Sequence, residues 1–415
     1  MTHKKEIPST NPGATVFEYL LKPIDDFLKK QDADLKRHHN QKLSYYAFIR
    51  LLIYFFVAEG KSFKLFIETK LNKGLLPAEL NLTTVPYTTI NEAFEHFSIR
   101  LFREVFQHIL KTVPFRQLPE LATLGTFYCI DGSLFPVINS MRWAEYTSKH
   151  QSLKLHLCFE LNRMIAVEFL VSAANYSERQ ALFRMLKSGV TYIADRGYMS
   201  FQVCHQLIEE KAYFIFRVKA GLRYGVTETL QVGLPEKVQA IFSDVRDELI
   251  RYKNDKFKHT YRLVSFKVGS EAFFILTNRL ELTTFQVIML YAYRWKVELL
   301  FRFLKRTMNG IHLIKHEQHG VTIQFYVILI VALLQLYLKQ STSDLAHDGN
   351  NASSTGKNGS STNHQKTDTS EHNFFDSIGE NLNKYWKIGI HWLTALRSLF
   401  AEPFDRRAIE ILNNN

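Results

Sequence analysis

Between residues 126 and 194, the apolar positions form short runs that end in turn residues, and one amphipathic stretch interrupts them. Four β-prone runs have the length and composition of strands: residues 126–130, 154–159, 164–171 and 190–194. After the third run, residues 177–187 show helical periodicity, with Ser177 as the predicted N-cap and Gln180 completing a capping box. The pattern therefore predicts three strands that can pair antiparallel, then a helix, then a fourth strand.

Residues 291–305 carry a second strong pattern. They contain good helix formers and neither Gly nor Pro, and their apolar residues share one side. At 3.6 residues per turn, the other side presents one acid among cations and an aromatic: Tyr291, Arg294, Glu298, Arg302 and Lys305. This suits a carboxylate that helps to hold a metal while its neighbours bind phosphate. The other interpretation is a solvated face on which Glu298 pairs with Arg302.

Two aspartates directly follow the first and fourth predicted strands. Asp131 precedes Gly132, and Asp195 precedes Arg196 and Gly197. Acids at the carboxyl ends of buried strands project where open α/β sheets bind ligands, although each aspartate alone is equally well explained as a turn residue. The strand order is that of a ribonuclease-H-like domain, in which the first and fourth strands are neighbours. We therefore expect Asp131 and Asp195 to converge, with Glu298 joining them from a later helix.

The spacing Tyr291-x2-Arg294-x3-Glu298-x6-Lys305, with Ile-Asp131-Gly and Ala-Asp195-Arg-Gly-Tyr, closely resembles DDE transposases of the insertion sequence four group. The resemblance covers about residues 120–340. It implies an α/β fold with a ribonuclease-H-like catalytic core and a β-rich insertion. It also implies cut-and-paste movement through a hairpin at the DNA end, which the residues themselves do not distinguish from direct strand transfer.

The residue types suit metal-dependent phosphoryl transfer. Hard divalent ions such as Mg²⁺ and Mn²⁺ prefer carboxylates and water. Two such ions, about 3.5–4 Å apart, can activate an attacking hydroxyl and stabilise the leaving oxygen. By resemblance, Asp131, Asp195 and Glu298 are the catalytic residues and the metal ligands. The three scattered cysteines lack zinc-site spacing: Cys129, Cys158 and Cys204.

Six residues are candidates for DNA contact: Tyr291, Arg294, Trp295, Arg302, Lys305 and Arg196. Arg294 and Lys305 can bond phosphate oxygens, and Tyr291 adds a hydroxyl donor. Trp295 either stacks near the DNA end, where relatives with this pattern use an aromatic, or packs in the core. Arg196 either touches phosphate or balances the acids beside it.

Residues 213–284 contain four β-prone segments, so the sequence independently predicts an insertion between Asp195 and Glu298. Cations follow this insertion and suit either a DNA backbone or a solvated edge: Lys253, Lys256, Lys258 and Arg262. The core that contains the insertion is expected to span residues 119–340. Within it, residues 321–338 are predicted to be a buried helix packed on the sheet, as in relatives, and not a membrane span.

The segments outside the core predict the remaining organisation. Residues 1–118 are expected to be a helical DNA-binding domain with a helix-turn-helix reader near residues 62–97, or else a scaffold without base contacts. Residues 341–372 are almost without apolar positions and predict a disordered linker. Residues 373–415 regain periodicity and are expected to form a helical segment that pairs two subunits.

Composition agrees with a DNA-acting protein inside a bacterial cell. The 415 residues carry a net charge of +12 and a pI near 9.3, which attract polyanions. Three cysteines predict no disulfide framework, and the amino terminus has no apolar signal segment. We therefore expect a cytoplasmic, nucleoid-associated protein.

These patterns together predict a DNA transposase, an endonuclease and polynucleotidyl transferase that acts at the terminal inverted repeats of an insertion sequence. It is expected to bind element ends and target DNA as a homodimer. Two other interpretations stay open: a DNA-binding relative without catalysis that acts as a binder or inhibitor, and a stand-alone ribonuclease-H-like nuclease. The phosphate-binding set around Glu298 favours the transposase, since a simple nuclease need not retain a cleaved end.

Overall fold

The computed structural model describes residues 12–37, 39, 41–58, 62–76, 78–137, 141–147, 150–239, 242–310 and 313–353. In chain order, the helices of this part are α1 (Pro12–Leu21), α2 (Asp25–Asp34), α3 (Tyr45–Val57), α4 (Phe63–Phe66), α5 (Tyr87–His96), α6 (Ile99–Thr112), α7 (Glu178–Arg184), α8 (Phe201–Glu209), α9 (Glu236–Gln239), α10 (Thr284–Ala292), α11 (Trp295–Gly310) and α12 (Gln318–Ser353). The strands are β1 (Thr126–Pro136), β2 (Glu145–Thr147), β3 (His150–Glu160), β4 (Ile165–Ala173), β5 (Val190–Ala194), β6 (Tyr213–Arg217), β7 (Tyr224–Thr229), β8 (Phe242–Tyr252), β9 (Tyr261–Val268) and β10 (Glu271–Thr277).

These residues form two compact units. One combines the chain up to Phe115 with residues from Arg306 onward, and the other comprises Arg116–Lys305. Residues 306–340, which the sequence assigns to the core, are thus grouped with the N-terminal helices by their contacts. The predicted C-terminal segment, residues 373–415, lies outside the described residues.

The first unit is built around the long apolar helix α12, which packs against α6 and α3. Residues Gln318–Ser341 are long and apolar enough to cross a membrane, with a mean hydropathy of 2.2, but 83% of the most apolar window is buried in the protein. The predicted burial is confirmed. A helix that is apolar all round needs apolar neighbours on several sides, and the N-terminal helices supply them.

Two further predictions for this unit need correction. Helix α12 continues to Ser353, into the segment predicted as a linker, and no proline interrupts it up to that residue. The predicted helix-turn-helix lacks a short turn: the helical turns after α4 end at Leu71, and α5 begins only at Tyr87.

The second unit contains a large mixed sheet flanked by helices. Its order is β2-β3-β1-β5-β6-β10-β9-β8-β7, and β4 also pairs with β3. Strands β1, β3 and β4 pair antiparallel, whereas β5 and β6 run parallel to β1. The predicted adjacency of the first and fourth runs is confirmed by the pairing of β1 with β5.

The insertion extends this sheet through antiparallel pairs from β10 to β7. The predicted insertion begins at residue 213, whereas β6, which begins there, pairs in parallel with β5 as part of the central sheet. Of the four predicted surface cations, the three lysines are exposed but Arg262 is buried. Arg262 pairs with the equally buried Asp247, so it is unable to contact DNA in this structure.

Candidate active site

The two aspartates meet at one place on the sheet. Parallel pairing aligns Cys129 on β1 with Ile193 on β5. Two residues further on, the same register places Asp131 beside Asp195, which directly follows β5. Neighbouring strands are about 4.8 Å apart, which brings the two backbones side by side. Asp131 does not end its strand as predicted, because the long strand β3 continues to pair with β1 up to Pro136.

Glu298 reaches the site from a helix pair that is interrupted beside it. Helix α10 ends at Ala292 and α11 begins at Trp295, so the predicted single helix over residues 291–305 was wrong. At the interruption, the Arg294 N–H donates to the Tyr291 carbonyl at 3.0 Å, one residue short of the helical spacing. This tight turn leaves Tyr291 on the first helix and Glu298 in the first turn of the second.

Arg294 links two of the acids. Its Nη2 lies 3.0 Å from Glu298 Oε1, and its Nη1 lies 3.9 Å from Asp131 Oδ2. The Arg294 side chain is only 16% exposed, so its charge is largely screened from solvent. The predicted phosphate-binding cation is therefore engaged with carboxylates in this structure.

The carboxyl of Asp131 lies in an environment with excess negative charge. The pKa of Asp131 is raised to about 6, mainly by burial and to a smaller extent by the charges of Glu298 and Glu178. The Gly132 N–H, which donates to Asp131 Oδ1 at 2.8 Å, and the Arg294 guanidinium act in the opposite direction. An additional cation at this place would stabilise the ionised carboxylate.

Tyr291 faces the third acid. Its ring is buried, with 6% exposure, and its hydroxyl donates to Asp195 Oδ1 across a long 3.5 Å contact. Burial raises the pKa of Tyr291, so the hydroxyl keeps its proton and acts as a donor. The structure thus groups Asp131, Asp195 and Glu298 through two shared neighbours, Arg294 and Tyr291.

The other predicted DNA-contacting residues lie nearer the surface. Trp295 is half-buried, with the exposed Arg302 guanidinium 5.9 Å from its ring centre. Lys305 is also half-buried and has Nζ 5.7 Å from the ring centre of Phe135, while Arg196 is exposed. Trp295 is therefore not a fully buried core residue.

The donor chemistry fits a hard divalent cation. The three acids offer carboxylate oxygens, and Asp131 and Glu298 already share one positive charge through Arg294. No three acid, imidazole or thiol side chains among the described residues are close enough together to enclose an ion. The cysteines at 129, 158 and 204 are buried, and burial raises the pKa of each thiol, which disfavours the thiolate that a metal requires.

Two residues near the site escaped the sequence analysis. Glu178 begins α7, and its Oε1 accepts a hydrogen bond from Lys154 Nζ at 2.7 Å. The pattern over 177–180 was interpreted only as a helix cap, yet the Ser177 side chain makes no capping bond. The sequence signal for a side chain packed at this place was a glycine close after each aspartate: Gly132 directly after Asp131 and Gly197 two residues after Asp195.

Comparison with known proteins points in one direction. The family described as "Transposase DDE domain" matches residues 123–334. A protein of Sinorhizobium fredii named as transposase y4zB is 24% identical over 211 residues, covering 50% of this chain and 59% of the relative. A protein of Geobacillus stearothermophilus, named for insertion sequence element IS5377, is 20% identical and covers 49% of this chain and 54% of its own length. The chain thus spans little more than half the length of these two relatives.

Two further proteins extend the comparison. A Synechocystis protein named as a transposase for insertion sequence element IS4SA is 21% identical over 276 residues, covering 64% of this chain and 76% of the relative. Among solved structures, a piggyBac transposase in a synaptic complex with hairpin DNA has a TM-score of 0.40 and 11% identity. That similarity covers 99% of this chain and 86% of the piggyBac chain.

Proposed function

This chain belongs to the family of transposases with a DDE domain, and on that premise we propose that it is a DNA transposase that cleaves insertion-sequence ends. The proposed reaction is metal-dependent hydrolysis at the terminal inverted repeats, followed by attack of the new 3′-hydroxyl on the opposite strand or on target DNA. We further propose cut-and-paste movement with hairpin ends.

One observation carries this proposal. Asp131 lies on β1, Asp195 directly follows the neighbouring parallel strand β5, and Arg294 contacts both Asp131 and Glu298. These contacts support a common site for three acids that are far apart in sequence. The sheet around them has three antiparallel strands followed by two parallel ones, which supports a ribonuclease-H-like core. Phosphoryl transfer with divalent ions uses carboxylates of this kind as metal ligands.

The proposed ligands are Asp131, Asp195 and Glu298, and enzymes of this family generally depend on divalent ions. We propose Mg²⁺ or Mn²⁺, two ions, which when bound would supply activation of the attacking oxygen and charge for the leaving oxygen. The chain itself contributes orientation: Tyr291 donates to Asp195, and Arg294 balances Asp131 and Glu298.

The half-buried and exposed residues beside this site support contact with DNA. Lys305, Arg302 and Arg196 offer cations to phosphate, and the half-buried Trp295 offers a stacking surface. We propose that the N-terminal helical unit adds sequence-reading contacts and that the active form is a homodimer that brings two ends together. The proposed location is the cytoplasm, with the protein associated with the nucleoid.

Cleavage of a labelled duplex that carries the terminal repeats of the element, in Mg²⁺ or Mn²⁺, tests the proposal. Wild type is expected to nick at the repeat boundary, and Glu298→Gln to bind the same DNA without cutting it. Glu228→Gln, an exposed acid of the same unit, is the matched control and should cleave normally. Binding without cleavage by wild type would favour the inactive relative, and equal cleavage of unrelated duplexes would favour a simple nuclease.

A further inference from the structure

One carboxylate lies against the backbone that follows both aspartates. A Cβ placed on Gly197 would lie 2.5 Å from Glu178 Oε2, closer than real Cβ contacts allow. A Cβ placed on Gly132 would lie 2.8 Å from Lys154 Cε and 3.7 Å from Glu178 Oε1. The Glu178 carboxylate therefore occupies the space that the missing side chain of Gly197 leaves. Beside Gly132 the close neighbour is Lys154, and Glu178 lies at ordinary van der Waals distance.

Backbone conformation does not explain these glycines. Neither Gly132 nor Gly197 has the positive φ that favours glycine, unlike Gly125, whose φ is +104°. What distinguishes the two positions is the close approach of Glu178 and Lys154. Because the obstructing atom at Gly197 is the end of a flexible side chain, an added methyl group would displace the Glu178 carboxylate.

The second residue of helix α7, Arg179, also binds the segment that follows Asp195. Arg179 donates to the carbonyl oxygens of Gly197 and Met199, at 3.3 and 2.9 Å. Glu178 is held from the other side by Lys154 on β3, whose side chain is only 13% exposed. The first turn of α7 thus connects the β1–β3 pair with the turn that carries Asp195.

We propose that Glu178 is a positioning residue that sets the separation of the two aspartate-bearing backbones and thereby their fit to a divalent cation. The inference rests on the function proposed above. Glu178 acts through shape, by filling the space beside Gly197, and through its bond to Lys154, whose side chain lies against Gly132. Direct coordination of the metal by Glu178 is a different role, and the test separates the two.

Calorimetric titration with Mn²⁺, without DNA, measures the affinity of the site for a divalent cation independently of cleavage. Glu178→Ala and Gly197→Ala are each expected to weaken Mn²⁺ binding about tenfold or more, the usual effect of losing an outer residue of a metal site. Glu178→Gln keeps the shape and still accepts from Lys154, so its affinity should stay within about threefold of wild type, below that usual loss. The double variant Glu178→Ala/Gly197→Ala should bind no more weakly than Glu178→Ala, because the obstructing carboxylate is gone.

Matched controls come from the same unit. Glu168→Ala removes a comparable acid on β4, which pairs with Lys187 at 3.5 Å. Gly225→Ala adds a methyl group where no atom lies within 4 Å. Both should bind Mn²⁺ like wild type. Melting temperatures recorded with and without Mn²⁺ identify variants whose loss reflects misfolding, since a purely structural role would lower both values equally.

Each outcome decides the role of Glu178. Equal losses in Glu178→Gln and Glu178→Ala would identify a charged ligand and overturn the positioning role. Additive losses in the double variant would also overturn it, as would wild-type affinity in Glu178→Ala. If wild type itself bound no Mn²⁺ and cut no DNA, the proposed function would fail. Wild-type binding and cleavage with unaffected variants would refute this inference alone.

Discussion

The buried pair of Asp247 and Arg262 provides a quantitative test of how the insertion is held together. Arg262 Nε and Nη2 donate to the two Asp247 oxygens at 2.8 and 2.6 Å, and Thr284 Oγ1 donates to Asp247 Oδ2 at 2.8 Å. The Asp247 and Arg262 side chains are 0% and 4% exposed. Asp247→Asn would therefore leave a cation without its counter-charge in a place that water does not reach.

The expected magnitude follows from that burial. Removing one partner of a buried ion pair costs about 3–5 kcal/mol. Since about 1.4 kcal/mol corresponds to a factor of ten, local opening of β8 and β9 should become roughly two to three and a half orders of magnitude more frequent. Replacing both partners, Asp247 by Leu and Arg262 by Met, should lower the free energy of opening by about 2 kcal/mol less than the sum of the two single changes. The reason is that the double change leaves no unpaired buried charge. Recovery is incomplete, since Arg262 Nη1 also donates to the Leu282 carbonyl at 2.5 Å.

Hydrogen exchange followed by mass spectrometry, on peptides from β8 and β9, measures this opening. The matched control is Asp244→Asn, which breaks an exposed pair with Lys267 on the same two strands. The control should leave exchange unchanged, because water replaces the lost partner. If Asp247→Asn altered protection no more than Asp244→Asn, the assignment of a stabilising buried pair would be refuted.

Three further results concern pH. Mn²⁺ affinity should fall about tenfold per unit below pH 6, because Asp131, with its pKa raised to about 6, must release a proton before it can bind; a flat calorimetric profile from pH 5 to 7 would contradict this. In Arg294→Gln the midpoint of the pH profile of Mn²⁺ affinity should move to higher pH, since the guanidinium lowers the pKa of Asp131. An unchanged midpoint would count against that electrostatic contact. Burial lowers the pKa of His156 from 6.5 to about 4, so its neutral form contributes stability that is fully present above pH 6.5 and lost as pH falls towards 4. His156→Gln should remove up to about 3 kcal/mol of that acid dependence in urea unfolding, and an unaltered dependence would show that other groups cause it.

The central sheet and two acids were predictable because their signals are local. Each apolar run that became β1, β3, β4 or β5 is recognisable within a few residues, and their order limits the ways in which the strands can pair. Asp131 and Asp195 come directly after such runs, so their convergence follows from the pairing of β1 with β5. The spacing from Tyr291 to Lys305 added the third acid.

Features that depend on distant partners were not predictable in this way. The break after Ala292 has no Gly or Pro to mark it. Arg262 is buried with Asp247 of the neighbouring strand β8, whose carboxylate accepts its hydrogen bonds. Likewise, the apolar pattern of α12 specifies burial but not the neighbours that cover it. Glu178 escaped notice because its role depends on the space beside Gly197, which exists only in the folded chain.

DNA cleavage by Asp131→Cys in Mg²⁺ and in Mn²⁺ tests most directly whether Asp131 holds a metal in a DNA-cutting site. A thiolate binds Mg²⁺ poorly and accepts softer ions more readily. The variant should therefore lose cleavage in Mg²⁺ and regain it in Mn²⁺, while wild type is active in both. Equal activity of the variant in both metals, or no cleavage in either by a variant that melts like wild type, would contradict a metal-binding role for Asp131.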